Sequence, residues 1–335
     1  MNIIIPMAGM GKRMRPHTLT TPKPLLHVAG KPIVQRLCED LAQSTNDTIN
    51  EIAFVIGREF GLTIEENLVR IAESLGAKGK ICYQDEPLGT AQAILCAGDS
   101  LTGNCIVAFA DTLFVAHFKI NREQDGIIWV NHVNNPEQFG VVKIGADGHI
   151  TDFVEKPKDY VSDLAIIGIY YFKDGANLRN ELQYLVDNDI KEKGEYQLTN
   201  GLENMKNKGL TFEPATVDEW LDCGNYQSTV YTNQRVLENN KEKQLVHPSS
   251  KISDSVIIPP CFIGEGVEIK NSVVGPYVSL GNGCAVSDSV MKDCIVHEHT
   301  KIKNALIAHS MIGSHAHHTG KPEELSLGDY SVISR

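Results

Sequence analysis

The sequence predicts an α/β domain built on a mainly parallel sheet, followed by a left-handed parallel β-helix. Up to about residue 240, short apolar runs alternate with amphipathic stretches. That alternation makes βαβ units, whose sheet is covered on both faces. From Leu245 onward, aliphatic residues recur at intervals of six among small and polar ones. A charged stretch separates the two patterns, so domains are expected at 1–240 and 245–335. A chain of 335 residues exceeds one average core, which fits two domains.

Strands are read at Asn2–Pro6 and at 52–56, 80–83, 105–109 and 126–130. Helical spacing is seen over 32–43, with apolar Ile33, Val34, Leu37 and Leu41 on one side, and over 90–96. Residues 141–144 and 150–155 form a hairpin across Ala146-Asp147-Gly148. A closing helix follows over 225–243 and ends in the charged linker. Beyond it the six-residue pairs are Ile252 with Ile258, Ile263 with Ile269, Val274 with Leu280 and Val286, and Val296 with Ile302. Such repeats wind a triangular coil with one short strand per side and the aliphatics stacked inside. About five coils are expected, capped by an irregular tail from Gly320.

Composition excludes several function classes. The net charge of −11 disfavours nonspecific binding to nucleic acid or to a membrane surface. The longest apolar stretches, such as 104–110, fall well short of the ~20 residues a membrane span needs. No basic region precedes the apolar residues Ile3 to Ala8, which argues against a signal peptide. The eight cysteines include no CxxC pair, so neither a disulfide framework nor a zinc site is implied, and a cytoplasmic setting fits. Residues 1–38 hold no Asp or Glu, yet carry Lys12, Arg13, Arg15, Lys23, Lys31 and Arg36. A purely basic segment in an acidic chain suits a small anion, although a solvated basic face would have the same composition.

The first strand runs into Ala8-Gly9-Met10-Gly11-Lys12-Arg13. A Gly-rich turn after the first strand of an α/β domain lets backbone N–H groups approach phosphate. The spacing is neither that of a P-loop nor that of the GxGxxG dinucleotide fingerprint. Ten residues on, Pro22 and Pro24 stiffen the chain around Lys23, which lowers the entropy lost when the lysine holds an anion.

The run from Met7 to Pro16, followed by Thr21-Pro22-Lys23-Pro24-Leu25-Leu26, resembles the signature of the sugar-1-phosphate nucleotidyltransferases. That family includes thymidylyl-, uridylyl- and guanylyltransferases. The resemblance implies a Rossmann-like domain and places the triphosphate against Ala8, Gly9, Gly11 and Arg13, with Lys23 on phosphate in the transition state. The loop Gly9-Met10-Gly11-Lys12-Arg13 is one residue shorter than in many members. Gln84, with Pro87-Leu88-Gly89-Thr90 after it, resembles the base-reading segment. An amide donates and accepts together, so it can pair with uracil or thymine but cannot separate them.

Asp111 and Asp222 resemble the family's metal positions. A carboxylate at the end of a parallel strand suits active-site chemistry, and also a helix N-cap. Mg²⁺ takes one or two carboxylates plus phosphate oxygens, so two aspartates are the right number. Glu155-Lys156-Pro157 resembles the sugar-binding Glu and phosphate-binding Lys, and Gly140 and Gly168 resemble the sugar-side backbone.

The implied reaction joins a nucleoside triphosphate, dTTP or UTP favoured, to a sugar 1-phosphate with release of pyrophosphate. Glucose 1-phosphate is the first choice of sugar. Guanylyl transfer to mannose 1-phosphate and uridylyl transfer to an N-acetylamino-sugar 1-phosphate are the alternatives. A non-catalytic regulatory subunit of the same fold is the alternative outside enzymology. A β-helix also raises acyl transfer, for which His297, His299, His309, His315, His317 and His318 are candidates, though they also read as polar corners of the coil. Flat outer faces leave room for subunit pairing, and a dimer or tetramer is expected.

Overall fold

The computed structural model describes residues 1–45, 47–116 and 120–333. The last two residues of the expected second domain lie outside them. The chain divides into two compact units, Met1–Leu26 with Lys31–Ser228, and His27–Gly30 with Thr229–Arg335.

The first unit is a Rossmann-like α/β unit. Its strands are β1 (Asn2–Pro6), β2 (Glu51–Ile56), β3 (Lys78–Tyr83), β4 (Cys105–Ala108), β5 (Thr112–Val115), β6 (Gly126–His132), β7 (Gly140–Ile144), β8 (Ile150–Glu155), β9 (Leu164–Phe172), β10 (Phe212–Thr216) and β11 (Glu219–Asp222). The main sheet runs β8-β7-β9-β4-β1-β2-β3, with β6 joining β9 and β10. Strands β4, β1, β2 and β3 are parallel. Strand β9 runs antiparallel to β4, so the sheet is mixed with a parallel core.

Ile3, Ile4 and Ile5 of β1 are fully buried, as a central strand covered on both faces requires. The helices are α1 (Ile33–Ser44), α2 (Leu62–Ser74), α3 (Thr90–Leu95), α4 (Gly175–Asp187), α5 (Leu198–Asn207) and α6 (Tyr226–Asn239). Helix α1 buries Ile33, Val34, Leu37 and Leu41, the stripe that its spacing predicts. The expected hairpin is β7 with β8.

The second unit is a parallel β-helix. One sheet takes a strand from every coil, at Lys251–Ser253, Glu268–Lys270, Ala285–Ser287, Lys301–Lys303 and His317–Thr319. Inward residues stack in three columns: Ile252, Ile269, Val286, Ile302 and His318; Ile257, Val274, Met291 and Ile307; Ile263, Leu280, Val296 and Ile312. Successive inward positions are therefore five or six residues apart, rather than a uniform six. One pairing changes as a result: Ile257, not Ile258, enters the column, and Ile258 is exposed.

Within this unit, α6 and residues 27–30 cover one outer side of the coil. The buried Asn233 of α6 accepts from the Ala29 N–H at 2.9 Å and from Ser279 Oγ at 2.7 Å. Tyr277 Oη donates to Glu238 Oε2 at 3.0 Å. No described helix is long and apolar enough to cross a membrane.

Candidate active site

Two adjoining pockets open at the carboxyl ends of the parallel strands in the first unit, sharing Thr90, Phe109, Asp111 and Glu195 as walls. The first holds about 260 Å³. Strand β1 delivers Ala8, Gly9 and Gly11 to one wall, and Gln84, Pro87, Gly89 and Thr90 form the opposite one. The loop is fixed by Met14, which is fully buried, and by Thr18 Oγ1 donating to the Gly11 carbonyl at 2.8 Å. Gln84 follows β3, and its N–H donates to the Ile56 carbonyl at 2.9 Å. Its side-chain Nε2 donates to Gln92 Oε1 on α3 at 2.7 Å.

Gly89 has φ 122°, and a Cβ there would stand 2.5 Å from the Tyr196 carbonyl oxygen. Only glycine lets this loop pack on the extended segment that leads into α5. The Thr90 hydroxyl bonds Gln197 Oε1 at 3.2 Å and accepts from the Leu198 N–H at 2.9 Å. It is thus engaged in tying α3 to α5.

The second pocket holds about 520 Å³. Arg13, Gly140, Glu155, Lys156, Gly168 and Asp222 line it. Lys156 has a left-handed backbone, φ 43°, that turns the chain directly after β8. Lys193 Nζ fastens this turn by donating to the Lys156 carbonyl at 2.8 Å. Lys156 Nζ lies 3.4 Å from Glu155 Oε1, and Thr199 Oγ1 lies 3.5 Å from Glu155 Oε2. Gly168, at φ 89°, sits in a bulge of β9, where register slips between Ile166 and Tyr170.

The two aspartates are brought together by a device the sequence did not reveal. Asp222 does not end a strand of the parallel sheet. It ends β11, which forms an antiparallel ribbon with β5, and the register sets Asp222 opposite Thr112. The Cys223 N–H donates to the Asp111 carbonyl at 2.8 Å, closing the ribbon. Asp111 lies just past β4, and neither aspartate caps a helix.

Lys23, only 13% exposed, places Nζ 2.6 Å from Asp111 Oδ2. Burial opposes ionisation of Asp111, but the Lys23 ammonium and then Arg13 hold its carboxyl below the usual range. Burial and the neighbouring charge of Asp111 push Asp222 the other way, against hydrogen bonds from Ser228 and from the Gly224 N–H. An Asp222 carboxyl whose ionisation is opposed by the charge of Asp111, with basic Arg13 and Lys23 acting on Asp111, makes a donor set suited to a divalent cation.

Sequence reading missed several wall residues. Glu195 lies between the pockets, and Gln197 Nε2 donates to Glu195 Oε2 at 3.0 Å. Trp220 and Phe139 meet edge to face at 5.4 Å in the second pocket. Trp220 Nε1 is buried there with no hydrogen-bond partner among the described residues. No spacing in the sequence singles out Glu195: it is exposed, and the four residues after it, Tyr196 to Thr199, are all buried, polar and apolar alike. In the second unit, His299 and His315 stack at 5.1 Å, and His309 Nδ1 lies 3.6 Å from Asp293 Oδ2. His297 is buried, while His317 and His318 are exposed in the last coil. No group of three or more potential metal ligands occurs among the described residues.

The model of a family described as nucleotidyl transferase matches residues 2–239, and one described as GlmU-like C-terminal hexapeptide matches 239–326. A glucose-1-phosphate thymidylyltransferase from Streptomyces antibioticus is 27% identical, over 99% of both chains. A bifunctional protein GlmU from Methanococcus maripaludis is 27% identical, over 94% of this chain and 78% of its own. A crystal structure from Bacillus anthracis, provisionally described as a glucose-1-phosphate thymidylyltransferase in complex with sucrose, superposes with a TM-score of 0.57 at 26% identity. It covers 69% of this chain and 93% of its own.

Proposed function

The chain belongs to the nucleotidyl transferase family, and we propose that it transfers a nucleotidyl group from dTTP or UTP to a sugar 1-phosphate, glucose 1-phosphate first. The observation that carries this reading is the pair of adjoining pockets, which meet at Asp111 beside Lys23. The resemblance to two thymidylyltransferases, over 99% of this chain and 98–99% of theirs, supports thymidylyl transfer to glucose 1-phosphate. The resemblance to GlmU proteins supports a second reading, uridylyl transfer to an N-acetylamino-sugar 1-phosphate.

In this reading the Gly9–Gly11 loop and Arg13 hold the triphosphate, and Gln84 pairs with the base. Glu155 accepts from sugar hydroxyls, and Lys156 neutralises the sugar phosphate. A phosphate oxygen of the sugar attacks the α-phosphorus in line; that O–P bond forms as the bond to the β-phosphate oxygen breaks, and pyrophosphate leaves with the electron pair. The nucleophile is already ionised at neutral pH, so no side chain has to act as general base. The difficulty is the approach of two polyanions, which Arg13, Lys23 and Lys156 offset. Asp111 and Asp222 would hold Mg²⁺, which supplies further charge neutralisation at the phosphates when bound. Lys23, which pairs with Asp111 on the wall shared by the two pockets, is the cation this reading assigns to the α-phosphate.

The test is pyrophosphate release with Mg²⁺ across dTTP, UTP and GTP against glucose, mannose and N-acetylglucosamine 1-phosphates. Release with dTTP or UTP and glucose 1-phosphate is expected. Release only with UTP and the N-acetylamino sugar would select the second reading. Silence across the grid with folded protein would overturn both.

A further inference from the structure

The hexapeptide pattern continues past the last coil. At one corner of the β-helix the chain reads Ile263-Gly264-Glu265-Gly266-Val267-Glu268-Ile269, and then Leu280-Gly281-Asn282-Gly283-Cys284-Ala285-Val286. The next two coils repeat it from Val296 to Ile302 and from Ile312 to His318. Each time an inward aliphatic is followed three residues later by a left-handed backbone, with φ 63° at Gly266, 66° at Gly283, 56° at His299 and 58° at His315.

The same pattern occurs once more, as Leu327-Gly328-Asp329-Tyr330-Ser331-Val332-Ile333, and Tyr330 has φ 59°. A bulky residue adopts that conformation where a turn demands it. The turn is closed by the Ser331 N–H donating to the Gly328 carbonyl at 3.3 Å. In the earlier coil the Cys284 N–H donates to the Gly281 carbonyl at 3.4 Å. Corner positions 266, 283, 299, 315 and 330 are separated by 17, 16, 16 and 15 residues. Yet Leu327, Tyr330 and Ile333 are 54%, 102% and 56% exposed.

The end of the coil has a place for this segment. Amides of each coil donate to carbonyls of the next in two series: Gly264 to Leu280, Gly281 to Val296 and His297 to Ile312; and Lys251 to Val267, Glu268 to Cys284, Ala285 to Thr300 and Lys301 to Ala316. Gly313 and His317 come next, and the register assigns them the Leu327 and Ser331 carbonyls. Leu327 would extend the column Ile263, Leu280, Val296 and Ile312, and Ile333 would follow His318. Tyr330 would add a third ring to the stacked His299 and His315. The remaining side of the triangle has no aliphatic to offer, because Gly320-Lys321-Pro322-Glu323-Glu324 occupies its place.

We propose that Leu325–Ile333 is a further, two-sided coil that docks in parallel on the coil of His317–Thr319 in its own chain's β-helix and covers that coil's open edge. Repeat folds need such caps, because an open strand edge invites pairing with other chains. Five residues separate Thr319 from Leu325, and docking requires an advance of one strand spacing, ~4.8 Å. The short tether gives the segment a high effective concentration at its own end.

The test introduces Ile312→Cys together with Leu327→Cys in the full chain, because stacked positions ~4.8 Å apart fall within disulfide reach. After mild oxidation, a bridge between positions 312 and 327 within one chain is expected by peptide mapping, and none in the parent protein. A bridge between two chains would overturn docking on the segment's own end and assign it to a second copy. Absence of any bridge would overturn docking itself. Hydrogen exchange on the unsubstituted protein gives a second readout: protection of the Gly313 and His317 amides should be lost in a chain ending at Glu324. Equal exchange in the two chains would also overturn the proposal.

Discussion

The side-chain amide of Gln84 is held by Gln92, which accepts from its Nε2 at 2.7 Å. Held this way, the Gln84 carbonyl oxygen is left to accept, and under the proposed function it accepts from the ring N–H of uracil or thymine. Gln92→Leu should free the amide to flip, lowering kcat/KM for the preferred pyrimidine triphosphate roughly tenfold, as expected for one hydrogen bond of ~1 kcal/mol or slightly more. Discrimination against GTP should weaken with it. Steady-state kinetics with both triphosphates would check this, and unchanged values would remove Gln92 from base selection. At this scale, the pocket walls were legible where residues sit in compact motifs, as with Gly9, Gly11 and Lys23. Glu195 and Trp220 were not legible, because what makes them wall residues is the packing of α5 and the β5–β11 ribbon, which no local spacing encodes.

Helix α1 carries an unusual carboxylate on its amphipathic frame. Burial pushes Asp40 up to about 7, with Glu39 adding to the shift and Arg36 and Lys31 opposing it. An unfolded Asp loses its proton near ~3.9. Between these values the folded state binds a proton that the unfolded state has lost, so this group's contribution to stability falls as pH rises from about 4 to about 7. Asp40→Asn removes that dependence. The variant should therefore gain stability relative to the parent as pH rises through this window, read by urea unfolding at pH 5 and pH 8. An equal difference at both values would contradict the assignment.

In α6, Asn233→Ala strips the acceptor from the Ala29 N–H and from Ser279 Oγ in a buried setting. It should cost about 1–3 kcal/mol, seen as a lower unfolding midpoint; no change would mean the amide is dispensable. Elements with a strong period were legible, such as α1 and the parallel strands. Helix α2 was not, since it fully buries only Leu68 and Ala72 and leaves a thin apolar stripe. The antiparallel placement of β9 was not legible either, because a continuous apolar run reads alike in either direction. In the β-helix the repeat was visible, but turns of varying length hid the alternation of five- and six-residue steps, so Ile258 was read in place of Ile257.

Across the whole molecule, a chain of net charge −11 keeps its first 38 residues free of acidic groups and sets Ala8, Gly9, Gly11 and Lys23 from that segment on the wall of the pocket that Asp111 also lines. Every wall residue of the two pockets belongs to the first unit, so the proposed chemistry is assigned to that unit. Charge placement is the core of the account, and losing one such contact typically costs ~3–4 kcal/mol, or ~10²–10³ in rate. The most direct measurement is the rate at which the nucleotide sugar itself forms, followed by mass spectrometry with both substrates and Mg²⁺, for the parent, Lys23→Ala and Asp111→Asn. The account predicts product only when both substrates are present, with each folded variant slowed by at least ~10². Product formation by a folded variant at the parent rate, or none by the folded parent with any pairing of pyrimidine triphosphate and sugar phosphate, would contradict it.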